Sequence, residues 1–283
     1  MVGNIMWLAS YPKSGNTWLR VFLSNYIRNQ ETPVSINDID FGWLAANRDL
    51  FDEAVGIASA HLTMDEIDEY RPAFHCYLSQ QSNETRFIKV HDAYTHNRDG
   101  EALFPVEATA GVLYLIRNPL DVAISYAHHC AWPITRTIEE MNREQSTLAR
   151  NDKKLSVQLH QRLTTWSTHV RSWTEQTALP IHIVRYEDMV ASPVETFTKI
   201  VRFAQLSFSP ERVQKALEFS SFDKLQAQEA NDGFAEKSSL ADTFFRRGLA
   251  GEWRERLKKE QQQHIIDHHG TMMTRFGYRE PDK

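Results

Sequence analysis

Cysteine is nearly absent: the 283-residue chain has two, Cys76 and Cys130, in unrelated contexts with no metal-ligand spacing between them. A disulfide framework and a structural zinc site are therefore not expected, and two free thiols suit a reducing compartment. Long apolar runs are missing as well. The longest, such as Val112-Leu113-Tyr114-Leu115-Ile116, are far too short to cross a bilayer. The first residues, Met1-Val2-Gly3-Asn4-Ile5, have neither the basic start nor the apolar core of a secretory signal, so the cytoplasm is the expected location. There is no excess of positive charge, since the formal net charge is −5, which argues against a nucleic-acid binder working through a diffuse basic surface. Internal repeats, low-complexity tracts and Pro/Gly-rich linkers are also lacking. The twelve histidines form no HExxH or zinc-type pattern, and His264 and His268, one helical turn apart, read as a solvated face rather than a metal site.

With 41% apolar residues the chain can bury a sizeable core, and it reads as one domain over 1–283. Short apolar runs alternate with longer helical patterns, which predicts an α/β fold with a central, mainly parallel sheet flanked by helices. Strands are expected at residues 5–10, 86–91, 111–117 and 181–186. Helices are expected at 17–28, 120–129, 163–177, 194–204, 210–219 and 254–275. The stretch 131–155 is charged and weakly periodic, a candidate mobile lid.

Between the first strand and the first helix lies Tyr11-Pro12-Lys13-Ser14-Gly15-Asn16-Thr17-Trp18. A turn here aims backbone N–H groups and the positive end of the helix dipole at one point. Gly15 lets a phosphate approach the backbone closely, Lys13 adds a full charge, and Ser14, Asn16 and Thr17 add side-chain donors. It is not a Walker A loop, because the lysine precedes the only glycine. On turn chemistry alone it is equally an ordinary capped helix start.

Four further segments carry chemistry. Strand alternation puts Lys89 and His91 on one side of Phe87-Ile88-Lys89-Val90-His91, where a cation and an imidazole can stabilise a migrating anion and accept a proton. The following Asp92 is expected to favour the imidazolium form. Arg117, at a strand end, and Ser125, two turns into the next helix, suit a phosphate. Arg185-Tyr186-Glu187-Asp188 closes the last strand. Arg246, Arg247 and Gly248 can wrap an anion with side-chain and backbone donors.

In this order and spacing, over roughly residues 5–255, these segments resemble the cytosolic sulfotransferases that use 3′-phosphoadenosine-5′-phosphosulfate (PAPS). The resemblance implies a P-loop-NTPase-like sulfotransferase fold and a site for that cofactor, which leaves as adenosine 3′,5′-bisphosphate (PAP). It implies Lys13, Ser14, Gly15, Asn16, Thr17 and Trp18 as the 5′ loop, with Arg117, Ser125, Arg246, Arg247 and Gly248 at the 3′-phosphate. Tyr186 would line the nucleotide, Ser220 and Ser221 would sit beside it, and Phe222 would hold the adenine against Trp18. His91 would be the catalytic base, with Lys13, Lys89 and Ser125 assisting and no metal required. Two departures stand out. Asn16 replaces a usual threonine, and Asp92-Ala93 replaces a usual Leu-Pro after the base. The face Trp166, His169, Val170, Ser172, Trp173 also follows the family and reads as helix core.

The partner expected is a small-molecule acceptor with a hydroxyl or amine, and neither nucleic acid nor a membrane is expected. The family's dimerisation signature is not recognisable in 254–263, so the oligomeric state stays open. Acceptor-facing stretches are expected around 41–48, 92–104 and 131–155, where Phe41, Trp43 and Trp132 suit an apolar acceptor. Two alternatives remain: an ATP-dependent, kinase-like phosphotransferase, and a nucleotide-binding regulatory protein without catalysis. Mere binding would not call for both Lys89 and His91.

Overall fold

The computed structural model describes residues 3–40, 45–149 and 155–279. In chain order they form β1 (Ile5–Ser10), α1 (Asn16–Arg28), α2 (Arg48–Val55), α3 (Met64–Gln80), β2 (Arg86–Val90) and β3 (Thr109–Ile116). There follow α4 (Pro119–Cys130), α5 (Ile134–Met141), β4 (Thr147–Leu148), β5 (Gln161–Arg162), α6 (Trp166–Thr174) and β6 (Ile181–Arg185). The last part is helical: α7 (Tyr186–Ala191), α8 (Pro193–Phe203), α9 (Pro210–Phe219), α10 (Phe222–Asp232), α11 (Trp253–Arg256) and α12 (Lys259–Arg275).

The central sheet is mainly parallel, in the order β2-β1-β3-β6. Strands β1 and β2 run parallel, with Ile5 opposite Arg86 and Ala9 opposite Val90. All six residues of β1 are buried, as expected of a strand covered on both faces.

The chain divides into two compact units. The first comprises Met1–Tyr11, Trp43–Tyr114 and Arg143–Ile183; the second comprises Pro12–Gly42, Leu115–Asn142 and Val184–Lys283. The strands belong to the first unit, apart from the last residues of β3 and β6, which carry the chain into the second. The first unit's core is aromatic. Trp7 meets Phe104 and His75 edge-on at 5.1 and 4.9 Å, and its indole N–H donates to Thr109 Oγ1 at 2.9 Å. The second has a cluster of Val21, Ile36, Leu225, Phe234 and Phe245.

Three expectations change. Residues 254–275 are two helices, because Leu257 turns extended to bury its side chain and breaks the hydrogen-bond ladder. The interval 131–155, read as irregular, contains α5, whose Thr137, Ile138 and Met141 are buried; its residues 150–154 lie outside the described residues, as do Phe41 and Trp43. Helix α3 was not anticipated, since Pro72 inside it interrupts the pattern. Its start was legible all the same: Thr63 and Glu66 form a capping box.

Candidate active site

In the second unit the loop after β1 is built on two left-handed residues, Lys13 at φ 68° and Gly15 at φ 100°. This turns successive backbone N–H groups inward ahead of α1. A Cβ at position 15 would stand 2.8 Å from Tyr186 Cδ2, so glycine is required by space as well as by φ. Helix α1 begins with no acidic residue in its first turn and no side-chain cap, which leaves its positive end for an anion. The Ser14 hydroxyl is buried without a hydrogen-bond partner among the described residues, a donor that fits a phosphate oxygen.

Arg117 ties this loop to a second one. Its guanidinium donates to the Lys13 carbonyl at 3.1 Å and to the Leu249 carbonyl at 3.0 Å, and lies 4.1 Å from the Tyr186 ring centre. The turn behind it is held by Glu187, whose half-buried carboxylate accepts from the Asn118 N–H and the Tyr278 hydroxyl, each at 3.0 Å. Burial pushes the Glu187 carboxyl above its ordinary range, against these hydrogen bonds. Asp121, in the first turn of α4, accepts the N–H groups of Gly251 and Trp253 at 2.7 and 3.0 Å and so fixes the far end of the Arg246–Gly251 segment.

In that segment Gly248, at φ 65°, runs over the face of Phe222; a Cβ there would meet Cδ2 at 2.4 Å. Arg246 forms a fork with the buried carboxylate of Glu252, which also has Arg247 at 3.7 Å and Arg256 at 4.0 Å. The hydrogen bond from Arg246 is the main reason the Glu252 carboxyl is held below its ordinary range. Trp18, Phe222 and Phe244 border the cluster of Val21 and Phe245, and the Lys13 ammonium lies 3.9 Å from the Phe244 ring centre. Trp18 meets Tyr186 and Phe197 edge-on at 6.1 and 5.4 Å.

Lys13, Arg117 and Tyr186 are thus brought together, with the loop of Arg246, Arg247 and Gly248 joined to them through Leu249. Ser125 is half-buried on α4. Asn16 and Thr17 are buried at the start of α1. Ser221 precedes α10, but Ser220 is fully buried and its hydroxyl donates back to the Ala216 carbonyl at 2.7 Å, so it is committed to α9. Sequence reasoning missed the anchoring parts played by Glu187, Tyr278, Asp121 and Glu252. Asp121 and Glu187 left a signal, an acidic residue in a helix's first turn.

In the first unit Lys89 is half-buried, Val90 is buried and His91 follows the end of β2. His91 Nδ1 donates to the Ser10 carbonyl at 2.8 Å, with Ser10 Oγ at 3.4 Å. Nδ1 therefore carries the proton of the neutral ring, and Nε2 carries the lone pair that a base needs. The expectation that Asp92 acts on the imidazole is corrected. The Asp92 side chain is buried and taken by Arg71, which donates to both its oxygens at 2.9 and 2.7 Å, and by the Arg162 N–H at 3.0 Å.

A family model described as a sulfotransferase domain matches residues 4–277. The chain belongs to the sulfotransferase family. Sulfotransferase 1B1 of Canis lupus familiaris is 24% identical to this sulfotransferase over 258 residues, 87% of this chain and 76% of the relative. Flavonol 3-sulfotransferase of Flaveria bidentis is 23% identical over 264 residues, 89% and 76% of the two chains. Two solved structures share the fold at 18% identity. Retinol dehydratase in complex with retinol and PAP has a TM-score of 0.64, covering 99% of this chain and 84% of that one. Mouse sulfotransferase SULT7A1 complexed with PAP has a TM-score of 0.59, covering 95% and 84%. Among the described residues of the sulfotransferase, no three His, Cys, Asp or Glu side chains are grouped to hold a metal, and no helix is long and apolar enough to cross a membrane.

Proposed function

We propose that this sulfotransferase moves the sulfuryl group of PAPS onto a hydroxyl or amine of a small organic acceptor by in-line displacement, with His91 as the base. One observation carries the donor assignment: Arg117 links the loop of Lys13 and buried, unpartnered Ser14 to the loop of Arg246–Gly251. A cradle with cations on two loops suits a nucleotide with phosphates at both ends better than ATP, whose phosphates form one chain. Lys13, Ser14, Gly15, Asn16 and Thr17 take the 5′ end; Arg117, Ser125, Arg246, Arg247 and Gly248 take the 3′-phosphate. Trp18 and Phe222 hold the adenine, Tyr186 backs it, and Ser221 rather than Ser220 offers a hydroxyl. PAP in the solved neighbours, with retinol in one of them, supports this donor and a small hydroxylated acceptor.

The acceptor oxygen or nitrogen attacks sulfur as the bond from sulfur to the 5′-phosphate oxygen breaks, and its proton passes to His91 Nε2. Lys13 neutralises the charge that develops on the leaving phosphate, and Lys89 stabilises the sulfuryl in flight. A sulfuryl carries about one negative charge fewer than a terminal phosphoryl, so lysines and backbone dipoles suffice. The reading keeps 1–283 as one domain. It places the enzyme in the cytosol, in line with the relative Cytosolic sulfotransferase 1 of Arabidopsis thaliana.

The test compares ligands and variants. At about 100 times its Kd, PAP should stabilise the protein by about 2.7 kcal/mol, whereas ADP at the same concentration should stabilise it less. Transfer from PAPS to an acceptor library should survive EDTA. His91→Ala should abolish transfer and keep PAP binding. Equal stabilisation by ADP, or loss of activity with EDTA, would return the reading to a kinase. Full activity in His91→Ala would remove the base assignment.

A further inference from the structure

Beyond Val90 the chain leaves the sheet, and residues 91–94 lose the strand ladder. Each polar group of this stretch named here is nevertheless held by a side chain or backbone group of the first unit. The His91 carbonyl accepts from His169 Nε2 at 3.1 Å, and the Asp92 carbonyl accepts from the Trp173 indole N–H at 2.9 Å. The Ala93 N–H donates to the Arg162 carbonyl at 2.7 Å and the Tyr94 N–H to Ser172 Oγ at 3.0 Å. His169, Ser172 and Trp173 share one face of α6, since residues three and four apart are neighbours on a helix. From α3 and β5, Arg71 and the Arg162 N–H grip the Asp92 carboxylate. Arg71 in turn reaches Asp68, which also receives Arg162 Nε at 2.7 Å.

His169 completes a directed chain. Burial pushes its imidazole down to about 4, so the ring is neutral. Tyr114, a phenol kept protonated by burial, donates to Nδ1 at 2.9 Å, which obliges Nε2 to carry the hydrogen given to the His91 carbonyl.

We propose that His169 and the Arg71–Asp92 pair are positioning residues for the base: they pin the backbone on either side of the His91–Asp92 peptide and thereby set the direction of the His91 imidazole. The inference rests on the reading of His91 as the base. Its chemistry is specific to this chain's Asp92-Ala93, because an apolar residue at 92 has no carboxylate for Arg71 to hold.

The test measures kcat, the KM for PAPS and PAP affinity in four variants beside His91→Ala. A misplacement of about 1 Å costs about 100-fold in rate, so His169→Leu and Asp92→Asn should each lower kcat by about 10- to 100-fold. The KM for PAPS and PAP affinity should stay at the parental values. His169→Gln, whose amide nitrogen can still donate to the His91 carbonyl, should recover most of the lost kcat; a part played only in packing would not distinguish Gln from Leu in this way. Tyr114→Phe removes a single hydroxyl and remains readable if His169→Leu does not fold; it should lower kcat by less, with PAP affinity intact. Parental kcat in folded Asp92→Asn and Tyr114→Phe, with His91→Ala inactive, overturns the positioning inference alone. Turnover in His91→Ala overturns the base assignment and the inference with it.

Discussion

A methyl group on residue 15 meets two obstacles at once, a backbone at φ 100° and the Tyr186 ring at 2.8 Å. The left-handed conformation alone costs an L-residue about 1–2 kcal/mol, and the clash adds to it. Gly15→Ala should therefore lower the denaturation midpoint in urea and weaken PAP binding together, because the same turn aims the N–H groups. A Gly15→Ala protein that binds PAP like the parent would show that the loop is only a connection. His91 shows its lone pair on Nε2 because the Ser10 carbonyl accepts a hydrogen bond from Nδ1–H, and nothing about the residue type alone decides which nitrogen that is.

Helices here act mainly through their ends. Helix α4 starts with Asn118 as cap, its Oδ1 accepting the Leu120 N–H at 3.0 Å, and Pro119 in the first turn. Asp121 then reaches out of that turn to the Gly251 and Trp253 N–H groups. Hydrogen bonds to a charged group contribute about 1.5–3 kcal/mol each, so Asp121→Ala should release the 246–253 segment without unfolding α4. The expected result is faster tryptic cleavage after Arg246 or Arg247 and weaker PAP binding by calorimetry. Unchanged cleavage and affinity would mean that the segment is held by Glu229, which accepts the Phe244 and Phe245 N–H groups, and not by α4. Helix α3 provides a smaller check. Thr63→Ala removes its capping box and should cost about 1 kcal/mol.

At the scale of the molecule, His75, His169 and His269 are buried in their neutral form. Burial lowers His75 to about 3, with the Arg71 charge adding to the effect, lowers His169 to about 4, and lowers His269 to about 3. Each has a folded value below the ordinary 6.5, so the unfolded chain binds the extra proton. Their stability is whole above pH 6.5 and is lost as pH falls toward the folded values, at about 1.4 kcal/mol per pH unit for each histidine. Asp68 adds a later loss. Burial opposes its ionisation, but the His160 imidazole, 3.6 Å away, and the Arg71 charge hold it at about 2, so its share goes only below the ordinary carboxylate value of 3.8. Denaturation at pH 7, 6 and 5 should thus show stability falling from just below 6.5, and His269→Met should make the fall shallower. Constant stability from pH 7 to 5 would contradict the buried, neutral assignment.

Much of this protein was readable from local pattern. Alternation and apolar runs located the four sheet strands to within two residues at either end, whereas the loop 11–18, Lys89, His91, Arg117 and Arg246–Gly248 offered cations and donors at chain turns that only the resemblance to the sulfotransferases tied to phosphate and proton chemistry. Helices α2, α3, α5, α7 and α10 were not read, being short, interrupted by proline or weakly patterned, so that their formation depends on what they pack against. Tertiary structure alone decided which partner each polar group found. Asp92 stands next to His91 in the chain yet belongs to Arg71, and Ser220 faces α9. A sequence specifies which groups can donate, accept or carry charge; hydrogen bonds and ion pairs depend on distances of about 3 Å, and those are set only when segments far apart in the chain are folded against one another.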